Sequence, residues 1–254
     1  MCTLAIFFKA VRDWPVIVAA NRDEFLKRPA LAPMTLLESP HVVGGKDLKA
    51  GGTWLGVNEH GLVAGLLNRR VETPANLDAR SRGLLCLDVL RHRTTAEALA
   101  YVRAQRAADY NPFNLLIASR DDAVVAYNRA SAIESATLTP GPHLLTNLDL
   151  DDFECPRISR SYGQFAALAE TTEFLQDPVA MRAQLGALLA DHVTQLDPRN
   201  GRPNGLCLHL GEYGTRSSSL IFMGADGRTE HFFAPGPPCT AAYEQAAVPV
   251  QSAK

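Results

Sequence analysis

The second residue of this chain is a cysteine, and at that position a thiol can do chemistry on its own. Methionine aminopeptidases remove Met1 when residue 2 is small, and Cys qualifies. The freed α-amine would have a pKa of roughly 7.7–8.0 and the thiol one of about 8.5. An amine of that basicity accepts the thiol proton directly or through one water. One residue then supplies both nucleophile and general base, without a histidine. Position alone also admits a plainer role, because a free cysteine is more often a small buried hydrophobe.

A second polar group falls where it can support Cys2. The apolar run Val16–Ala20 leads directly into Asn21–Arg22–Asp23–Glu24. In a tight opening hairpin the end of the second strand lies close to the start of the first, so Arg22 and Asp23 are expected to reach Cys2. Arg22 would lower the thiol pKa by its positive charge. Asp23 would hold and orient the α-ammonium. The same four residues also fit a surface turn with an Arg–Asp pair, which is common and contributes little.

Other motifs are less specific. Gly51–Gly52–Thr53–Trp54 permits a positive-φ turn or a close backbone approach, and Trp54 either covers a pocket or fills core. Tyr213–Gly214–Thr215–Arg216–Ser217–Ser218 lacks the Gly spacing and Lys of a phosphate loop. The seven histidines show no metal-ligand spacing, and Cys207 and His209 share a strand face in what reads as a structural role. Cys155–Pro156 is a faint haem-site pattern that reads more simply as a loop.

The elements that must position these residues follow from periodicity. Thr3–Ala10 and Val16–Ala20 are β-like, with a turn at Val11–Pro15, and form an opening hairpin. Thr53–Asn58 and Leu62–Leu67, joined by Glu59–His60–Gly61, form another. Ser81 caps a helix through Leu90, and Thr94 with Glu97 makes a capping box for the next. Asn114–Ser119 and Ala123–Asn128 are strands. Ser159–Ala169 and Pro178–Val193 are helices. Leu206–His209, Ser218–Met223 and Glu230–Phe233 are the closing strands. No element is assigned to the stretch from Asp23 to Pro40, which is long enough for a lid. Hairpins imply antiparallel sheets and clustered helices imply covering layers, so the expected fold is α+β, a four-layer αββα sandwich. One domain is expected across residues 1–254, with an irregular tail from about residue 235.

Composition excludes several classes. Charged residues are 20% of the chain and the net charge is −2, with no basic stripe, so nucleic acid is not an expected partner. The apolar runs are too short to span a bilayer, and no signal peptide is evident, so an integral membrane protein is not expected. Five cysteines, odd in number and without CxxC pairing, argue against a disulfide framework or a structural zinc site and point to a reducing, cytoplasmic setting.

Taken together, Met1–Cys2–Thr3, Asn21–Arg22–Asp23–Glu24, Gly51–Gly52–Thr53–Trp54–Leu55–Gly56, Asn68, Ser81–Arg82–Gly83, Tyr110–Asn111–Pro112–Phe113–Asn114–Leu115, Thr146–Asn147 and Tyr213–Gly214–Thr215–Arg216–Ser217–Ser218 resemble the NRDE family. That family is also called the transport and Golgi organisation protein 2 family. The resemblance runs from Met1 to about Phe233, and it implies an N-terminal-nucleophile (Ntn) hydrolase fold. Choloylglycine hydrolases and penicillin V acylases look like the nearest functional analogues. They also begin Met-Cys and cleave amides with the freed cysteine. Their helpers are an Arg and an Asp at the end of strand two, asparagines for the oxyanion and a late Arg. By resemblance Cys2 matches the nucleophile, Arg22 and Asp23 the Arg/Asp pair in a different local order, Asn68 and Asn147 the asparagines, and Arg216 the late Arg.

Two functions are therefore expected to compete, beside a third reading of a scaffold that has lost its site. One is a cysteine amidohydrolase cleaving a non-peptide C–N bond of a small acylated metabolite, with no cofactor required. The other, implied by the family's links to haem trafficking and acyl-coenzyme A or lipid binding, is a carrier without chemistry. Haem or acyl-coenzyme A would then be its ligand. Either way the partner is a small molecule bearing an anionic group, held by Arg22 and Arg216.

Overall fold

The computed structural model describes residues 2–71 and 74–249. Along the chain run β1 (Thr3–Phe8), β2 (Val16–Phe25), β3 (Ala30–Glu38), β4 (His41–Asp47), β5 (Leu55–Asn58), β6 (Val63–Asn68), α1 (Arg82–Val89), α2 (Thr95–Arg103), β7 (Phe113–Ala118), β8 (Ala123–Asn128), β9 (Ile133–Thr137) and β10 (Gly141–Leu145). Then come α3 (Pro156–Leu168), α4 (Thr172–Gln176), α5 (Pro178–Leu189), β11 (His209–Leu210), β12 (Tyr213–Met223), β13 (Thr229–Ala234) and β14 (Glu244–Gln245).

The strands form two antiparallel sheets. One has the order β10-β1-β2-β12-β13-β14, with β11 paired to β12; the other runs β3-β4-β5-β6-β7-β8-β9. Strand alternation divides the apolar residues into layers. Leu4, Ile6 and Phe8 of β1 join Leu55, Val63 and Leu116 between the sheets. Ala5 and Phe7, pointing the other way, pack with Ile158, Phe165, Phe174 and Leu185 from α3, α4 and α5. Leu85 and Val89 of α1 and Ala98 and Val102 of α2 cover Leu115 and Ile117 of β7. The result is the four-layer αββα sandwich that the order of strands and helices implies. Fully buried Phe7 lies 5.0 Å from Phe174, ring to ring, and burying one such side chain stabilises the fold by roughly 1.5–3 kcal/mol.

The opening hairpin pairs Phe8 with Val16 and Thr3 with Asn21. The hairpin of β5 and β6 and the helices at Arg82 and Thr95 also stand where periodicity puts them. Thr94 accepts the Glu97 N–H at 3.1 Å, while the Glu97 carboxylate reaches back one residue further than a capping box requires, to the Arg93 N–H at 3.0 Å.

Several expectations need correction. The stretch from Asp23 to Pro40 is mostly strand and not a lid. β3 lies at a sheet edge, where Pro33 loses no ladder bond, and its mixed pattern hid it. Edge strands β9 and β10 were hidden in the same way. β4 carries Gly44 and Gly45 because its neighbours come close. A Cβ on Gly44 would lie 2.6 Å from the Leu55 carbonyl oxygen, and one on Gly45 would lie 2.3 Å from the Trp54 ring. The expected strand at Leu206–His209 shrinks to His209–Leu210, and α5 ends at Leu189 instead of Val193. Cys155 is no loop residue but the N-cap of α3, with its thiol buried. The tail after Pro235 is largely irregular but adds β14 to the first sheet.

Candidate active site

Register decides which polar residues share a face. With Thr3 opposite Asn21, the next position outward sets Cys2 opposite Arg22. Both side chains face the space between the sheets, while Thr3, Asn21 and Asp23 face the helices. The cluster from Asn21 to Glu24 therefore lies within β2 and not after it, and its neighbours point in opposite directions. β12 keeps the strand extended, pairing Thr215 with Asp23 and Ser217 with Arg22 across a bulge at Arg216.

Cys2 sits half-buried, its Sγ 3.7 Å from the Asp23 carbonyl oxygen. Burial pushes its thiol pKa up, and the charge of Asp23 adds to this, while Arg22 pulls the other way. The Arg22 guanidinium is buried and stacks on Trp54 at 4.3 Å from the ring centre. One of its Nη atoms has no hydrogen-bond partner, and the other lies 4.0 Å from an Asp47 carboxylate oxygen. Desolvation lowers the Arg22 pKa, with Cys2 and Glu24 opposing it. Trp54 is thus a cleft residue as much as a core one.

Asp23 serves the opposite face. Its carboxylate accepts Arg157 Nη1 from α3 at 3.0 Å and the Thr215 hydroxyl at 2.7 Å. Arg157 also donates to Thr3 Oγ1 at 2.5 Å, so the buried pair ties β1, β2, β12 and α3 together beside Cys2. Asn21 donates twice, to the carbonyls of Leu189 and Leu206 at 2.8 Å each. Met1, whose removal would free the Cys2 amine, lies outside the described residues.

Cys2 and Arg22 line two neighbouring spaces. A narrow recess of about 20 Å³ lies beside Leu4, Trp54, Leu66 and Leu67. An open cleft of about 370 Å³ carries Asn68 on its wall. Its rim carries Arg28, Lys49, Arg80 and Arg82, of which only Arg82 belonged to a motif noted in the sequence. Asp47 holds Arg28 at 2.8 Å. Burial works against that carboxylate, but hydrogen bonds from Arg28 and the Ala50 and Lys49 N–H groups outweigh it and keep its pKa low. Asp88 and the Tyr110 hydroxyl hold Arg80. Arg82 donates to the Pro112 carbonyl at 2.8 Å, and desolvation lowers its pKa.

Gly51 and Gly52 shape the cleft by taking φ of 69° and 71°. A Cβ on Gly52 would stand 2.1 Å from the Gly83 carbonyl carbon, so this turn packs directly on the start of α1. Asn147 and Arg216 are not among the residues that line the cleft. The segment of Asn147 is drawn towards β7, where Asn114 donates to the carbonyls of Thr146 and Leu148. Arg216 occupies the β12 bulge, and its buried Nε lacks a partner. Arg157 escaped sequence reasoning because nothing local marks a helix arginine as the partner of a residue 134 positions earlier.

Two facing antiparallel sheets between helix layers, with a cysteine opening the first strand, define an Ntn-hydrolase-like sandwich. Penicillin V acylase from Agrobacterium tumefaciens superposes with a TM-score of 0.59 at 15% identity, covering 92% of this chain and 83% of that one. An N-acylethanolamine-hydrolyzing acid amidase ortholog from Caenorhabditis elegans gives 0.57 at 17%, covering 87% and 92%. Within that class, residues 1–233 match the Transport and Golgi organisation 2 family, and the chain belongs to it. The Transport and Golgi organization protein 2 homolog of Bos taurus is 33% identical across an alignment that covers 87% of this chain and 89% of that protein. Among the described residues no helix is long and apolar enough to cross a membrane.

Proposed function

We propose that the chain is a cysteine amidohydrolase acting on a non-peptide C–N bond of a small acylated metabolite that carries an anionic group. The observation that supports it is the placement of the Cys2 thiol between an apolar-walled recess and a basic open cleft, directly across from Arg22. The rim suits a carboxylate or phosphate, and the recess, at about 20 Å³, takes no more than a water-sized group. In the first step Cys2 Sγ attacks the amide carbonyl and its proton passes to the freed α-amine. That proton then goes to the departing amine as the C–N bond breaks. Water hydrolyses the thioester, returning the thiol and releasing the acid. Asn68, on the cleft wall, is the candidate donor to the oxyanion. Asp23 holds the strand end, and Asn147 and Arg216 have no role in this scheme. The names of the two fold neighbours, an acylase and an amidase, point to the same reaction class.

The free Nη of Arg22 and the cationic rim also favour a second reading, a carrier for haem or acyl-coenzyme A in the cytoplasm. The two readings separate cleanly. An electrophilic acyl probe, read by intact mass together with the state of Met1, should add one label that vanishes in Cys2→Ala. Labelling that persists in the variant removes Cys2 as nucleophile. Stoichiometric haem or acyl-coenzyme A binding that weakens in Arg22→Ala, without any acyl label on the wild type, selects the carrier.

A further inference from the structure

Far along the chain from Cys2, three segments bring Cys207, His209 and Cys239 within ligand distance of one another, with His192 beside the last two. Cys207 Sγ lies 3.6 Å from His209 Nε2 and 3.6 Å from Cys239 Sγ, and His209 Nε2 lies 3.2 Å from Cys239 Sγ. A ring nitrogen of His192 completes the group, within 4.8 Å of the donor atoms of His209 and Cys239. The rings of His192 and His209 meet edge to face, 5.5 Å apart. None of the four residues lines the cleft.

These separations can be set against a metal's own geometry. Tetrahedral zinc, with Zn–S near 2.3 Å and Zn–N near 2.0–2.1 Å, requires S···S edges of about 3.8 Å and S···N edges of about 3.6 Å. The three edges among Cys207, His209 and Cys239 come within about 0.4 Å of those values, and His192 stands within 4.8 Å of the last two. A Cys₂His₂ donor set is that of a closed structural zinc site, and thiolate with imidazole selects zinc over magnesium or calcium.

The backbone holds the donors in place. The Asp191 carbonyl accepts both the Leu206 and Cys207 N–H groups at 2.9 Å, locking His192's neighbour to Cys207. The Leu208 N–H, between Cys207 and His209, donates to Thr215 Oγ1 at 2.9 Å. Thr215 in turn holds Asp23. Gly205 allows the approach, since a Cβ there would meet His192 Cα at 3.3 Å. Cys239 lies in a turn closed by the Thr240 and Ala241 N–H groups on the Pro237 carbonyl.

We propose that His192, Cys207, His209 and Cys239 bind a structural zinc ion. It clips the C-terminal tail and β11 to the loop after α5. Cysteine spacing along the chain argued against such a site, but the donors come from three separate segments that only the fold unites.

The full-length chain, reduced and incubated with zinc chloride and then gel-filtered, should retain about one zinc per chain by mass spectrometry. Cobalt(II) in its place should give thiolate-to-metal bands in the near ultraviolet and the intense visible bands of tetrahedral coordination. The double variant Cys207→Ser/Cys239→Ser should lose both the retained zinc and the cobalt bands. Should that variant fail to fold, the wild-type stoichiometry and cobalt spectrum still decide. No retained zinc, a weak octahedral cobalt spectrum, or undiminished zinc in a folded double variant would overturn the site. An isolated chain with three free thiols that takes up no zinc after reduction would mark Cys207 and Cys239 as a disulfide pair, and would equally overturn it.

Discussion

Replacing Arg157 by methionine tests whether the helix layer holds the chemical face of the first sheet. The side chains of Arg157 and Asp23 are both fully buried, and they meet at 3.0 Å. Arg157→Met removes that ion pair and the 2.5 Å bond to Thr3, while Asp23 keeps its bond from Thr215 at 2.7 Å. Removing one partner of a buried ion pair costs about 3–5 kcal/mol. For a chain of this size each kcal/mol lowers the melting temperature by about 2–4 °C, so a fall of roughly 6–20 °C is expected. Thermal unfolding by circular dichroism and urea titration both measure it. The double variant Asp23→Asn/Arg157→Met should recover part of the loss, because the buried carboxylate no longer carries a charge. A single variant within about 1 kcal/mol of wild type would show that the pair bears no such weight, and the reasoning would fail.

Other expectations are simpler. Alkylation of Cys2 by iodoacetamide should follow a pH profile with its midpoint above that of an ordinary thiol, because burial raises its pKa. Arg22→Met should move the midpoint higher still, and a midpoint below that of a free thiol contradicts the assignment. Buried His231 has its pKa lowered to about 4 by desolvation, so it is neutral when folded and charged when unfolded below its usual value. The unfolded chain then binds more protons, and stability should fall by roughly 3 kcal/mol as pH drops from 6.5 to 4. His231→Phe should flatten that part of the urea-midpoint profile. Asn21→Leu strands the carbonyls of Leu189 and Leu206 and should cost roughly 2–4 kcal/mol by chemical denaturation. Gly52→Ala forces a Cβ onto the Gly83 carbonyl at a positive φ, and should lower the melting temperature more than Gly201→Ala, where φ is also positive but nothing lies within 4 Å.

The opening hairpin was legible because Thr3–Phe8 and Val16–Ala20 are dense in β-branched and aromatic residues, and its register carried Cys2 to Arg22. Trp54 and Asn68 fell on the cleft because short hairpins leave little freedom in where a strand end projects. The reading failed where a residue's surroundings come from far along the chain. Asp23 adjoins Arg22 in sequence, but alternation sends the two side chains to opposite sides, and nothing local announced that the Asp23 carboxylate also accepts from Arg157 and Thr215. The rim residues Arg28, Lys49 and Arg80 belong to surface loops and strand ends, where a charge is ordinary until the sheets stack. Edge strands β3 and β10 hid behind prolines that an edge tolerates. Only the two-residue spacing of Cys207 and His209 is legible locally; nothing in the sequence joins them to His192 and Cys239, since that meeting depends on where the tail runs.

The last turns of β2 behave like a beam loaded on both sides. Arg22 bears on the cleft and Asp23 on α3, one peptide apart. A substitution in the helix layer would therefore bear on the Cys2 pocket through the strand they share. Variants at Arg157 would then alter the surroundings of Cys2 without lining the cleft, and screens confined to the cleft wall would miss them.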